Sequence, residues 1–240
     1  MKSLQILVIS LIQSLDRQVK VKEELSKAPF EWSFLDAVDG RKLSYPIPEY
    51  LPKKVKRLLG FELTQNEIGC FLSHRKAWQS CFDNQIPTLV FEDDFVLFPH
   101  FETVINTLLS HPQDWDLVRV QALLPSPDDA IQSYGDFNLV ANHGDPLGAT
   151  AYLLNPQAAK KLVQHANYIY EPLDHFLEHY QKHAIPMLAI KPYPVDITKV
   201  DSTIADRPSD RKPTKGLQKR FRSISRQFDR VFAKDPWFPR

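Results

Sequence analysis

The 240-residue chain holds two cysteines, two methionines and seven glycines, and its 30 Lys/Arg and 29 Asp/Glu nearly cancel. Each shortage excludes something. Cys70 and Cys81 are 11 positions apart with no His or Cys cluster beside them, so the pair reads as free buried thiols in a reducing, cytosolic compartment, not as a disulfide or a zinc motif. No stretch approaches the roughly 18 apolar residues of a membrane span. The apolar start, Leu4 to Leu11, is short, is interrupted by Gln5 and lacks a small-residue cleavage site, so it reads as a first strand and not as a signal peptide. The few glycines nowhere form a phosphate-binding loop; phosphates, if bound, must be held by a metal or by basic side chains. With 43% hydrophobic residues the chain can bury a sizeable core, which excludes a disordered segment.

The balanced total hides an asymmetry. Residues 1–206 carry 19 basic and 26 acidic residues, a net of −7, and residues 207–240 carry 11 and 3, a net of +8. In that tail Leu217, Phe221, Ile224, Phe228 and Val231 recur at helical spacing, with Lys219, Arg220, Arg222, Arg226 and Arg230 between them. A basic amphipathic helix of this kind suits an anionic bilayer face, the alternative being a terminal helix that docks on the body and leaves its basic face in water. No nucleic-acid-binding motif accompanies the charge, so nucleic acid is not an expected partner.

Along the chain, Leu4 to Leu11 is near-continuously apolar, as a central parallel strand covered on both faces should be. A helix over about Asp16 to Ser26 and a strand at Glu31 to Leu35 complete βαβ spacing of the nucleotide-binding kind. Residues 41–60 read as a surface excursion. Thr64 and Glu67 form a capping box that opens a helix carrying Ser73 and His74. That helix delivers the chain to Pro87-Thr88-Leu89-Val90-Phe91-Glu92-Asp93-Asp94, a buried strand tipped with three acids. Packed carboxylates need an offset, which a divalent cation would supply, and ligands gather at strand carboxyl ends; the alternative is that Asp93 and Asp94 only cap a turn.

Further on, Arg119 interrupts the buried strand Leu117 to Val120 and needs a partner, either a site carboxylate or a phosphate, unless the strand is an edge. Residues 124–145 read as a loop. Gly148 and Thr150 sit among small residues that would let a sugar approach the backbone, or else only make a turn. Asp174 opens a helix after Pro172; it is a candidate general base, or an acid that merely offsets the helix dipole.

Glu67-Ile68-Gly69-Cys70-Phe71-Leu72-Ser73-His74, Trp78 and Phe91-Glu92-Asp93-Asp94 together resemble the signature of glycosyltransferase family 25. The resemblance extends through Val8-Ile9-Ser10-Leu11 with Arg17, Asp36-Ala37, Val118-Arg119-Val120, Gly148 to Leu154 and Pro172-Leu173-Asp174, in the family's order over about residues 4–205. It implies an α/β fold of the GT-A type, a single domain over residues 1–206 with a mostly parallel central sheet flanked by helices, followed by the basic C-terminal helix. It also implies a UDP-sugar donor contacted by Ser10, Leu11, Arg17, Asp93, Arg119, Gly148, Thr150 and Ser202. Mn2+ or Mg2+ would be held by Asp94 directly with Asp93 assisting, and hard cations of this kind take one or two carboxylates beside substrate phosphates.

The expected activity is a single inverting displacement that moves a hexose, galactose from UDP-galactose, onto a lipooligosaccharide or lipopolysaccharide acceptor in β-linkage, with Asp174 as base. Glucose or an N-acetylhexosamine as the donor sugar, or a catalytically silent nucleotide-sugar or glycan-binding module, are the alternatives. The expected location is the cytoplasmic face of the inner membrane, peripherally attached through the tail.

Overall fold

A computed structural model describes residues 4–198. Ser202 and the basic tail lie outside the described residues. The strands are β1 (Gln5–Ser10), β2 (Ser33–Asp36), β3 (Thr88–Glu92), β4 (Phe95–Leu97), β5 (Leu117–Arg119), β6 (Asp128–Tyr134), β7 (Phe137–Asn142), β8 (Ala151–Leu154), β9 (Met187–Lys191) and β10 (Val195–Ile197). The helices are α1 (Leu15–Leu25), α2 (Pro52–Leu59), α3 (Gln65–Asn84), α4 (Phe101–Ser110), α5 (Pro156–His165), α6 (Leu173–Glu178) and α7 (Tyr180–His183).

Eight strands form one sheet in the order β2-β1-β3-β8-β5-β9-β7-β6, and β4 pairs with β10 separately. The pairings make β1, β2, β3, β5, β6 and β9 run one way and only β7 and β8 the other. The expected mostly parallel α/β sheet is therefore what the chain builds.

Its strands alternate between two cores. Ile6, Val8, Leu89 and Phe91 pack with α1 and α4, while Leu7, Ile9, Val90 and Tyr152 pack with α3, α5 and α6. A strand so sandwiched must be apolar at every position, which is why β1 and β3 show no polar alternation.

Two regions depart from expectation. The excursion over residues 41–60 contains α2, opened by Pro52 at its first turn and ended by Gly60 in the left-handed region at φ 86°. Residues 124–145 are not a loop but hold the β6–β7 hairpin, turned at Gly135 with φ 66°. Strand β6 is the sheet edge and is largely exposed on both faces, so no buried face imposes the alternation that would have revealed it.

Helix α3 shapes the site by its closeness to the chain after β2. The capping box is formed: the Glu67 amide donates to Thr64 Oγ1 at 3.2 Å and the Thr64 amide to Glu67 Oε2 at 2.8 Å. One turn later, a Cβ on Gly69 would stand 2.5 Å from the carbonyl oxygen of Val38 and 2.7 Å from the amide nitrogen of Gly40. Ser73 Oγ then accepts the Val38 amide at 2.8 Å while donating to the Gly69 carbonyl at 2.7 Å. Gly69→Ala should lower stability by about 1–3 kcal/mol, because the obstructing atoms are backbone and cannot rotate away. A urea midpoint unchanged from the parent protein would contradict this packing.

Candidate active site

The carboxyl ends of β1 and β3, the turn after β2 and the first half of α3 enclose a cavity of about 220 Å³. Among the expected donor and metal contacts, Ser10, Leu11, Arg17, Asp93 and Asp94 line it, together with Glu92, Val38, Cys70 and His74. Residues from sequence positions 9 to 94 thus meet in one cleft at the topological position where open α/β sheets bind ligands.

The three acids have three different environments. Asp93 is held on both sides: Ser10 Oγ donates to its Oδ2 at 2.7 Å and Arg17 Nη1 to its Oδ1 at 2.6 Å. Glu92 accepts from Cys70 Sγ at 3.5 Å, from His74 Nε2 at 3.3 Å and from Thr150 Oγ1 at 3.4 Å. Burial pushes the Glu92 carboxyl up, but the contacts from His74, and then from Cys70 and Thr150, outweigh it and hold the group below the usual range. Asp94 is the exception. Its backbone carbonyl is fixed by the Thr198 amide at 2.7 Å, yet its buried Oδ1 has no partner. Burial, and next the charge of Glu92, push its carboxyl up to about 6. An unpartnered buried carboxylate oxygen beside two other acids is a group that a divalent cation would satisfy, so the residues fit the expected hard metal.

His74 is fully buried, and its orientation is fixed by a chain of donors. The indole of Trp78 donates to the Tyr152 oxygen at 2.7 Å, which leaves the Tyr152 hydroxyl hydrogen for His74 Nδ1 at 2.8 Å. The imidazole proton is then on Nε2 and faces Glu92. This network was invisible in the sequence because its members come from α3, β3 and β8.

Asp174 lies at the first turn of α6, where its Oδ1 accepts the His175 amide at 2.9 Å. It does not line the cavity, but it is near it: burial, then Glu92, and next the Asp174 carboxylate among others, push the Cys70 thiol well above its ordinary range.

Arg119, expected to contact the donor, is turned inward instead. Its side chain is fully buried and bonds the Glu178 carboxylate and the Leu147 carbonyl, with Met187 Sδ at 3.1 Å. Glu178 also accepts the Leu147 amide at 2.9 Å. The guanidinium is therefore committed to an internal ion pair that clasps Leu147 at φ 57°, just before Gly148 at φ 88°. Gly148 makes the turn that its conformational freedom allows, and does not line the cavity. Thr150 joins the site through Glu92.

Gln121 was not singled out in the sequence. It is 1% exposed, and neither its Nε2 nor its Oε1 has a partner. Extending the β5–β8 register of Arg119 with Tyr152 by two positions puts Gln121 across Thr150 from Glu92. Only the absence of any bond to its amide marks it, and that is a tertiary fact.

Comparison with known proteins adds an independent line. The model of glycosyltransferase family 25 (LPS biosynthesis protein) matches residues 3–177. The lipooligosaccharide biosynthesis protein lic2B of Haemophilus influenzae is 28% identical over 167 residues, 66% of this chain and 62% of that protein. Procollagen galactosyltransferase 1-A of Xenopus laevis is 30% identical over 196 residues, 75% of this chain and 32% of that protein. The inactive glycosyltransferase 25 family member 3 of Mus musculus is 29% identical over 169 residues, 66% of this chain and 28% of that protein. The aligned part thus spans less than two thirds of each of these relatives.

Proposed function

The chain belongs to glycosyltransferase family 25, and from that premise we propose that it is an active, metal-dependent hexosyltransferase. Its donor is a UDP-sugar, UDP-galactose first among them, and its acceptor is the saccharide of a lipooligosaccharide. The observation that carries this reading is the buried, unpartnered Oδ1 of Asp94 at the carboxyl end of β3, beside an Asp93 already held by Ser10 and Arg17. Because a relative that matches 66% of this chain is described as inactive, membership of the family alone is not sufficient for activity. The geometry that keeps one acid free for a ligand favours activity.

Asp94 would hold Mn2+ or Mg2+, with Asp93 assisting from its Ser10 and Arg17 contacts. When bound, such an ion supplies positive charge to the diphosphate oxygens as the glycosidic bond breaks. The walls from Leu11, Val38 and Asp39 accommodate the nucleoside, since they line the same cavity. Asp174 accepts the proton of the attacking acceptor hydroxyl on the face opposite the leaving group, which inverts the anomeric centre. The same reading puts the protein at the cytosolic membrane face, held there through its basic tail.

Transfer measured with a panel of UDP-sugars, with and without Mn2+, against a lipooligosaccharide acceptor tests the proposal; no transfer from any donor would end it. Asp174→Asn should lower kcat by about 100-fold or more with little change in donor KM. A change confined to KM would make Asp174 a binding residue. Gln121 does not line the cavity, but a buried amide with both ends unpaired is costly unless a ligand satisfies it, so it is assigned to the sugar hydroxyls of a donor that reaches past Thr150. Gln121→Leu should raise the KM for the sugar nucleotide several-fold, leave UDP affinity unchanged and keep or raise Tm. A higher Tm with unaltered KM would reduce Gln121 to a packing defect.

A further inference from the structure

Cys70 has the ligand-forming neighbours that the sequence reading denied it. Its Sγ, His74 Nε2 and a Glu92 carboxylate oxygen all lie within 4.8 Å of one another. Two edges of this triangle are measured: Sγ to Oε1 is 3.5 Å and Nε2 to Oε1 is 3.3 Å. A tetrahedral zinc with bonds of about 2.3 Å to sulfur and about 2.0 Å to nitrogen and oxygen has S···O and N···O edges of about 3.5 and 3.3 Å. Two of the three edges thus already match those of a bound ion, and the third is within 4.8 Å.

The supports are in place as well. Cys70 and His74 are four apart on α3 and so share one face. The second imidazole nitrogen meets the Tyr152 hydroxyl at 2.8 Å, and the other Glu92 oxygen lies 3.4 Å from Thr150 Oγ1. Such outer partners orient zinc ligands. All three ligands line the cavity, which leaves a fourth position facing it. A sulfur, nitrogen and oxygen set selects a borderline-soft cation, whereas the all-oxygen chemistry at Asp94 selects Mn2+ or Mg2+.

We propose that Cys70, His74 and Glu92 form a three-ligand zinc site open to the cleft, and that its occupancy displaces the cation at Asp94. On binding, the Cys70 S–H proton passes to solvent, the imidazole proton moves from Nε2 to Nδ1 and is donated to the Tyr152 oxygen, and the Tyr152 hydroxyl hydrogen rotates away from the ring. Thiolate and carboxylate together neutralise the ion, so no net charge is buried. Displacement follows because zinc cancels the Glu92 charge that Asp94 otherwise shares with an incoming cation; this second half rests on the function proposed above.

The test uses the full-length chain without a histidine tag, stripped by chelator and dialysed against buffered ZnCl2. Elemental analysis should find one zinc per chain, and Cys70→Ser should bind zinc about tenfold or more weakly, while Cys81→Ser matches the parent. Co2+ should give a thiolate charge-transfer absorption in the parent that is absent in Cys70→Ser. Zinc should also slow maleimide labelling of Cys70 in the unmutated protein, a measurement that needs no variant to fold. Equal zinc retention by parent and Cys70→Ser, or no protection of the thiol, overturns the site. For displacement, Mn2+ binding followed by its electron paramagnetic resonance should fall with added zinc in the parent and not in Cys70→Ser. Equal competition in both overturns displacement but not the site. Failure to bind Mn2+ even in zinc-free protein overturns the metal-dependent function and leaves the zinc count standing.

Discussion

Asp94→Asn should abolish sugar transfer, by about 1,000-fold or more, and should at the same time raise the melting temperature of the metal-free protein. The two effects have one cause. The Asp94 carboxylate is buried without a partner for Oδ1, beside Glu92 and Asp93, and burial has already pushed its carboxyl up to about 6. At neutral pH the folded protein therefore holds a charge it would be more stable without. An amide of the same shape removes that charge and relieves the fold, but it removes the carboxylate that would meet the cation, and several kcal/mol of transition-state stabilisation with it. Loss of activity with a gain in stability separates a ligand from a structural acid. A variant that turns over normally, or that loses activity only because it unfolds, would reject the metal assignment. Added Mn2+ should raise the Tm of the parent and not that of Asp94→Asn, since a ligand stabilises only the state that binds it.

Arg119→Met should be the most destabilising single change of those considered, by about 3–5 kcal/mol, because it strands the buried Glu178 carboxylate. Burial already pushes Glu178 up and the neighbouring guanidinium opposes that rise. The double variant Arg119→Met with Glu178→Gln should recover much of the loss, since neither buried charge then lacks its counterpart. Denaturant midpoints of the two single variants and the double one measure the coupling. Strictly additive losses would show that the pair contributes nothing as a pair. The clasp also bears on the site: Arg119 and Glu178 bind the carbonyl and the amide of Leu147, and Glu178 ends the helix whose first turn carries Asp174. Arg119→Met should accordingly lower transfer through misplacement of that helix, without any direct contact to the donor.

What the sequence determined by itself was local and periodic. Apolar runs at Gln5 to Ser10 and Thr88 to Phe91 are buried strands because a sheet covered on both faces tolerates no polar alternation, and the Thr64–Glu67 box starts α3 because its bonds span only three residues. The order of the short motifs was enough to name the family, and the acid triplet at a strand's end was enough to locate the cleft. The tertiary structure decided how each polar group is used. Arg119 was correctly expected to need a partner, but only strand order and the return of α6 show that the partner is Glu178. Cys70 looked isolated because two of its neighbours in space, Glu92 and Asp174, are far along the chain. Which of Glu92, Asp93 and Asp94 remains free depends on Ser10, Arg17 and His74 reaching the first two from other elements. Hydrogen-bond satisfaction is a property of the packed whole, and three adjacent carboxylates become one bonded to His74, one anchored by Ser10 and Arg17 and one with an unpartnered oxygen only when the sheet has assembled around them.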